Sequence, residues 1–161
     1  MKKIICGVLA ALTLCTSTAF ADEITMYLNG TEIAPLEEAH QPAIVQDGIL
    51  YLPMRNVFEA MGAVVRWSSL GQIISGGMGG MNYETGIGKY VVTVNGEDME
   101  IEAPVLLLND RTLILPKVVT DCFGADVEWL ESDSQVNITY TPENSTIMTI
   151  DLTDLEESEN E

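Results

Sequence analysis

Basic residues are scarce in this chain. Seven Lys and Arg face 25 Asp and Glu, a formal net charge of −18. Such a polymer repels phosphate backbones and anionic lipid surfaces, which argues against nucleic acid and anionic membranes as partners. Histidine is almost missing: His40 stands alone, and a metal centre built on several imidazoles cannot be assembled from it. Cysteine is nearly as rare. Cys6 and Cys15 lie in the first fifteen residues, and Cys122 is left without a mate for an internal disulfide. A stable fold must therefore come from an apolar core. Only one apolar run has any length, Ile4 to Leu14, and it falls short of the ~20 residues that span a bilayer. The glycines at 76, 77, 79 and 80 include neither a GK[ST] nor a GxGxxG phosphate loop.

What the first residues do contain is a secretory pattern. Lys2 and Lys3 precede the short apolar run, and Ala19-Phe20-Ala21 follows as a small-x-small cleavage site. Residues 1–21 are expected to be a signal peptide cleaved before Asp22. An uncleaved anchor would need a longer apolar run, and a lipoprotein would need a small residue where Leu14 precedes Cys15. The product is expected to be secreted and free of the membrane.

Two Asn-Gly pairs then mark hairpins, Asn29-Gly30 and Asn95-Gly96. Both central residues of a type I′ turn need positive φ, which Asn and Gly tolerate. The flanks alternate apolar and polar: Ile24, Met26 and Leu28 at the first turn, and Val92, Val94, Met99 and Ile101 at the second. A second pattern also occurs twice, "LYLPMRNVFEAMGAVVRW" and "LILPKVVTDCFGADVEW". In each, an apolar strand ends at a proline, Pro53 or Pro116, and a helix opens. Met54, Val57, Phe58 and Met61 make one helix face; Val118, Val119, Cys122 and Phe123 make the other. Gly62 and Gly124 stop the helices. A strand follows, with Trp67 or Trp129 five residues after the glycine. The second helix is one residue shorter from proline to glycine. Strand-like runs "QIIS" and "MNYETGI", then "QVNITY" and "STIMTIDL", complete the two units. The unit boundaries are about 24–88 and 90–152, inside a domain of residues 22–152. Residues 153–161 are acidic and expected to be disordered.

The doubled order of NG hairpin, apolar strand, "LP", amphipathic helix, "GAxVxW" and closing strands resembles the copper amine oxidase N-terminal-like domain. That module occurs in secreted and surface proteins of Gram-positive bacteria. The resemblance covers roughly Ile24 to Leu152. It implies an α+β fold, antiparallel sheets curled around short helices in two tandem copies. It also implies a stalk-type module with no activity or cofactor of its own. Two departures stand out: the shorter second helix, and the first closing hairpin loosened into "SGGMGGMNY".

Several residues admit sharper readings. Asn82-Tyr83-Glu84 resembles the quinone-forming tripeptide of copper amine oxidases, but a plain strand explains it, since the three histidine ligands are missing. His40, in "EEAHQP", reads as a surface histidine or as a ligand shared with Glu37 or Glu38. Cys122 reads as a buried structural thiol or a reactive one. The glycine run reads as a flexible hairpin tip, with Met78 and Met81 as hairpin residues or soft Cu(I) ligands. Carboxylate groups such as Asp98/Glu100/Glu102, Asp126/Glu128 and Asp151/Asp154/Glu156/Glu157 read as a solvated face; calcium binding would need an EF-hand spacing they lack. Trp67 and Trp129 read either as core anchors or as ligand contacts that stack on carbohydrate.

No catalytic, cofactor-binding or metal residue is assigned. The expected core is Phe58, Met61, Phe123 and Cys122. The expected function is a secreted, non-catalytic binding or structural module at the bacterial cell surface, its partner a protein or cell-wall glycan. The alternatives are a small wall-polymer hydrolase using a carboxylate pair, or a metal-handling secreted protein.

Overall fold

The computed structural model describes residues 23–34 and 42–142. The expected signal peptide, His40 with Glu37 and Glu38, the strand-patterned Ser145 to Leu152 and the acidic final residues lie outside that range. Mostly antiparallel sheets and two short helices make up the described chain, an α+β fold.

Strands β1 (Thr25–Leu28) and β2 (Thr31–Glu32) form the first Asn-Gly hairpin. Asn29 and Gly30 have φ of 51° and 79°, as a type I′ turn requires. β3 (Ile44–Gln46) and β4 (Ile49–Pro53) follow, joined by Asp47 and Gly48, also at positive φ. Helix α1 (Met54–Ala60) leads to β5 (Val64–Ser68), β6 (Ile73–Met78) and β7 (Met81–Gly86). The second Asn-Gly hairpin is β8 (Val91–Val94) with β9 (Glu97–Glu100). Then come β10 (Leu106–Leu108), β11 (Arg111–Ile114), α2 (Pro116–Phe123), β12 (Asp126–Leu130), a 3-10 turn at Glu131–Asp133 and β13 (Gln135–Thr139).

The described residues form three sheets. The central one runs β10-β11-β4-β3, and its inner pair is antiparallel, with Leu113 opposite Pro53 and Ile114 opposite Leu52. One outer sheet runs β5-β6-β7-β8-β9, the other β12-β13-β1-β2. Each Asn-Gly hairpin thus completes the sheet of the strands that lie distant from it in sequence or just before it. In the second outer sheet β1 and β13 are parallel, Thr25 opposite Gln135 through Leu28 opposite Ile138.

The helices sit among these sheets because each has one apolar face. Met54, Val57, Phe58 and Met61 are buried, while Arg55, Glu59 and Ala60 face water. The end of α1 has the two bonds of a Schellman motif. Ala63 N–H donates to Phe58 C=O (2.9 Å) and Gly62 N–H to Glu59 C=O (3.0 Å). α2 ends more simply, with Gly124 at φ 65° donating to Thr120 C=O. The spacing from proline to glycine predicts a shorter second helix, yet α1 has seven residues and α2 eight. Pro53 stays in β4, opposite Leu113, whereas Pro116 is the first helical residue.

Aromatic edges join the two halves. Phe58 is fully buried and meets Tyr83 at 4.9 Å and Phe123 at 4.7 Å, both edge to face. Phe123 in turn meets Tyr140 at 6.1 Å. Phe123 is half-buried, at the margin of the core rather than inside it, because it is the last residue of α2. Met61 and Cys122 are buried.

Candidate functional site

The glycine run is not simply a flexible tip. Gly79 and Gly80 make the turn, at φ 57° and 91°, but Gly76 and Gly77 lie within β6. A Cβ on Gly76 would stand 1.8 Å from Val64 O and 2.5 Å from the Tyr83 hydroxyl. One on Gly77 would stand 2.2 Å from Met81 O. The strand is bare there so that Tyr83 can cross it. Tyr83 is buried in β7 and its hydroxyl donates to Val64 O at 2.8 Å. Burial pushes this phenol well above the ordinary tyrosine range. Tyr83 therefore works as a neutral cross-sheet post. Met78 and Met81 face each other in the same hairpin and pack against the core, with the Met78 sulfur at the end of α1.

Cys122 is a buried thiol, and desolvation, followed by the nearby Asp121 carboxylate, pushes it up to about 12. At neutral pH it holds its proton and is a poor nucleophile. Asp98, Glu100, Glu102, Asp126 and Glu128 are all exposed. Among the described residues no three His, Cys, Asp or Glu side chains gather where they could hold a metal ion. Nor is any described helix long and apolar enough to cross a membrane.

A cleft of about 340 Å³ lies between the start of α1, β5 and the β10–β11 turn. That volume lies within the ~300–1,000 Å³ of small-ligand pockets. Met54 and Ile74, both buried, line it from below. Val65, Trp67 and Leu107 supply further apolar wall. The rim is polar: Arg55, Asn56, Asp110, Arg111 and Thr112. The Arg55 guanidinium donates to Glu59 Oε1 at 2.8 Å and to Val65 O at 3.3 Å, which fixes it over β5. Asn56 is only 7% exposed and borders both this cleft and a recess beside the β1–β2 turn.

Trp67 is the residue that the sequence singled out and the cleft uses. It is opposite Ile74, so it lies on the core-facing side of its sheet. Yet it is 42% exposed, which corrects its reading as a core anchor. β5 is the outermost strand of its sheet, so among the described residues no further strand flanks the indole on that side. Trp129 sits opposite Val136 on β12, is half-buried and packs against the core. It does not line the Trp67 cleft. The two tryptophans therefore form no common surface for a ligand.

Arg55, Asn56, Leu107, Asp110 and Arg111 were not legible as site residues. Asn109-Asp110 carries a turn signal, and both residues have positive φ. Only the pairing of β11 with β4 brings that turn to α1.

No curated protein matches the chain. The family model of the copper amine oxidase N-terminal domain matches residues 27–138.

Proposed function

We propose, from the premise that this chain belongs to the copper amine oxidase N-terminal domain family, that it is a non-catalytic accessory module exported to the bacterial cell surface, where it binds a partner through the Trp67 cleft. One observation carries this reading: a 42% exposed indole over an apolar floor, ringed by Arg55, Asn56, Asp110 and Arg111. Burying an exposed tryptophan face is among the larger contributions a single residue makes to binding. The rim carries both signs, since Arg55 is paired with Glu59 and Asp110 stands beside Arg111. The basic start and Ala19-Phe20-Ala21 support export.

The module also reads as an internal duplication. The order strand, helix, strand occurs at β4-α1-β5 and at β11-α2-β12, and β4 and β11 meet antiparallel at the centre.

The test uses the mature protein from Asp22. Intact mass of the exported product should lack the first 21 residues. Retention on the producing cell's wall and surface fractions should fall with Trp67→Ala and persist with Trp129→Phe. Retention indifferent to Trp67 overturns the cleft assignment. Copper-dependent amine oxidation, or glycan release abolished by one Asp or Glu substitution, overturns the non-catalytic reading.

A further inference from the structure

The geometry points to an uncharged sugar ring as the ligand of the Trp67 cleft, its apolar face on the indole and its polar edge on the Asn56 amide. This inference rests on the binding role proposed above.

Asn56 is the unusual part of the cleft wall. It is buried on α1, 7% exposed, and among the described residues no hydrogen bond meets its side-chain amide. Thr85, also polar and buried, donates to Val91 O at 2.8 Å. An amide has two donors and an acceptor, and burial without partners is costly. The fold unit does not require one here. Counted forward from the proline, the second unit has Val119 at this place; counted back from the glycine, it has Val118. Both valines are buried. Nor is the Asn56 amide sealed off, since no sealed side-chain nitrogen or oxygen among the described residues lacks a bond. The spaces it borders are the cleft and the recess beside the β1–β2 turn.

The rim offers little to an ion. Arg55 Nη1 holds Glu59 Oε1 at 2.8 Å. Asp110 stands beside Arg111, which is not without an interaction of its own. A charged ligand would have to displace these partners, whereas a neutral one leaves them in place. Strand addition is hindered as well. The Val65 carbonyl beside the cleft already accepts from Arg55 at 3.3 Å. A ligand is therefore recognised by side chains rather than by extension of β5.

What remains is an apolar platform with uncharged hydrogen-bonding groups. Trp67 is 42% exposed beside Met54, Ile74 and Leu107, and Asn56 and Thr112 add an amide and a hydroxyl. A pyranose ring matches both parts. Its C–H bonds form an apolar face for the indole, and its hydroxyl or acetamido groups both donate and accept, as the amide requires. A purely apolar ligand would cover Asn56 and leave the amide unpaired. A volume of about 340 Å³ suits a short stretch of glycan rather than a protein surface.

The experiment uses the mature chain with Trp129→Phe, so that fluorescence reads Trp67 alone. It is titrated with the uncharged tetramers of N-acetylglucosamine and of glucose, and backbone NMR shifts locate the contact. The expected result is saturable binding of at least one tetramer at the cleft, with an affinity that barely changes between low and high salt. Trp67→Ala should weaken it about tenfold or more. Asn56→Val should weaken it about tenfold while urea unfolding stays the same or moves to higher urea, which separates ligand contact from a structural role. Unchanged binding in either variant, or a steep salt dependence, overturns the inference. Marked destabilisation by Asn56→Val makes the amide structural and overturns its part in the contact. Binding of polyglycerol phosphate through Trp67, without binding of either tetramer, overturns the sugar ligand and leaves the cleft's binding role standing. If neither tetramer binds while retention on wall fractions still falls with Trp67→Ala, the inference fails and the binding role stands. If retention is indifferent to Trp67 as well, both fail.

Discussion

The two outer sheets answer the same local pattern in different ways. Each receives a "GAxVxW" strand at its edge, β5 or β12, and each pairs that strand with a following one, β6 or β13. In the first, β7 then stands between β6 and the Asn-Gly hairpin β8–β9. In the second, β13 pairs directly with β1 of the other Asn-Gly hairpin, and the ladder is parallel. The strand β7 brings Tyr83, which touches Phe58, reaches Val64 O and requires the bare Gly76. The lesson is that a repeated local sequence fixes which face a side chain takes. Whether that side chain is covered depends on the neighbours the sheet acquires. Trp67 stays open for this reason, while Trp129 is packed.

The hardest blow to the comparison would fall at the joint between the halves. Phe58→Ala removes the ring that meets both Tyr83 and Phe123, and at a fully buried site it should cost about 3–5 kcal/mol. Urea unfolding measures it; a loss under about 1 kcal/mol would remove Phe58 from the centre of the core.

The next probe separates the two sheets. Gly76→Ala drives a methyl into Val64 O and the Tyr83 hydroxyl, so β5, β6 or β7 must shift. The expected loss is about 2–3 kcal/mol, in the range of overpacked sites. Gly79→Ala meets no atom within 4 Å and suffers only its positive φ, for a loss of about 1 kcal/mol. Equal losses would mean that Gly76 is free of Tyr83.

A smaller difference sharpens the tryptophan contrast. Trp129→Ala should destabilise more than Trp67→Ala, by about 1–2 kcal/mol, since more of its apolar area leaves water on folding. Thermal and urea unfolding of the pair decide it. A larger cost at Trp67 would mean that the indole lies against the core in solution.

The smallest effect at neutral pH is electrostatic. Cys122 and Tyr83 both have raised values in the fold, and at pH 7 both are protonated whether folded or not. Above the ordinary thiol value of 9.0 the unfolded chain releases the Cys122 proton while the folded one keeps it, to about 12. The unfolded state then binds fewer protons, and stability falls as pH rises through that window. Tyr83 adds the same sign from its ordinary 10.0 upward. Denaturation midpoints at pH 7, 9 and 10.5 should decline in that order, and Cys122→Ala should flatten the first part of the decline.

Much of the fold was legible residue by residue. Both Asn-Gly turns have the positive φ their residues predict, and both helices present the apolar faces their spacing predicts. Asp47-Gly48 carried an equally readable turn signal, and it joins β3 to β4. The cleft was half legible. Trp67 stood out by its repeated spacing, but Arg55, Leu107 and Arg111 looked like ordinary surface or strand residues.

The amino-acid order by itself determined the local structure. Turns follow from which residues tolerate positive φ, helix ends from Pro and Gly, and strand faces from alternation. These depend on a few bonded neighbours, so short stretches suffice. Only the tertiary structure decided that β1 would pair with β13, that β4 would meet β11, and that Gly76 must be bare. Those contacts join residues far apart in the chain, and no local preference selects among the strand partners available. The exposure of Trp67 belongs with them. An indole on the core side of a sheet is covered or open according to what lies beyond the edge strand. At β5 that neighbourhood is an open cleft bounded by the β10–β11 turn.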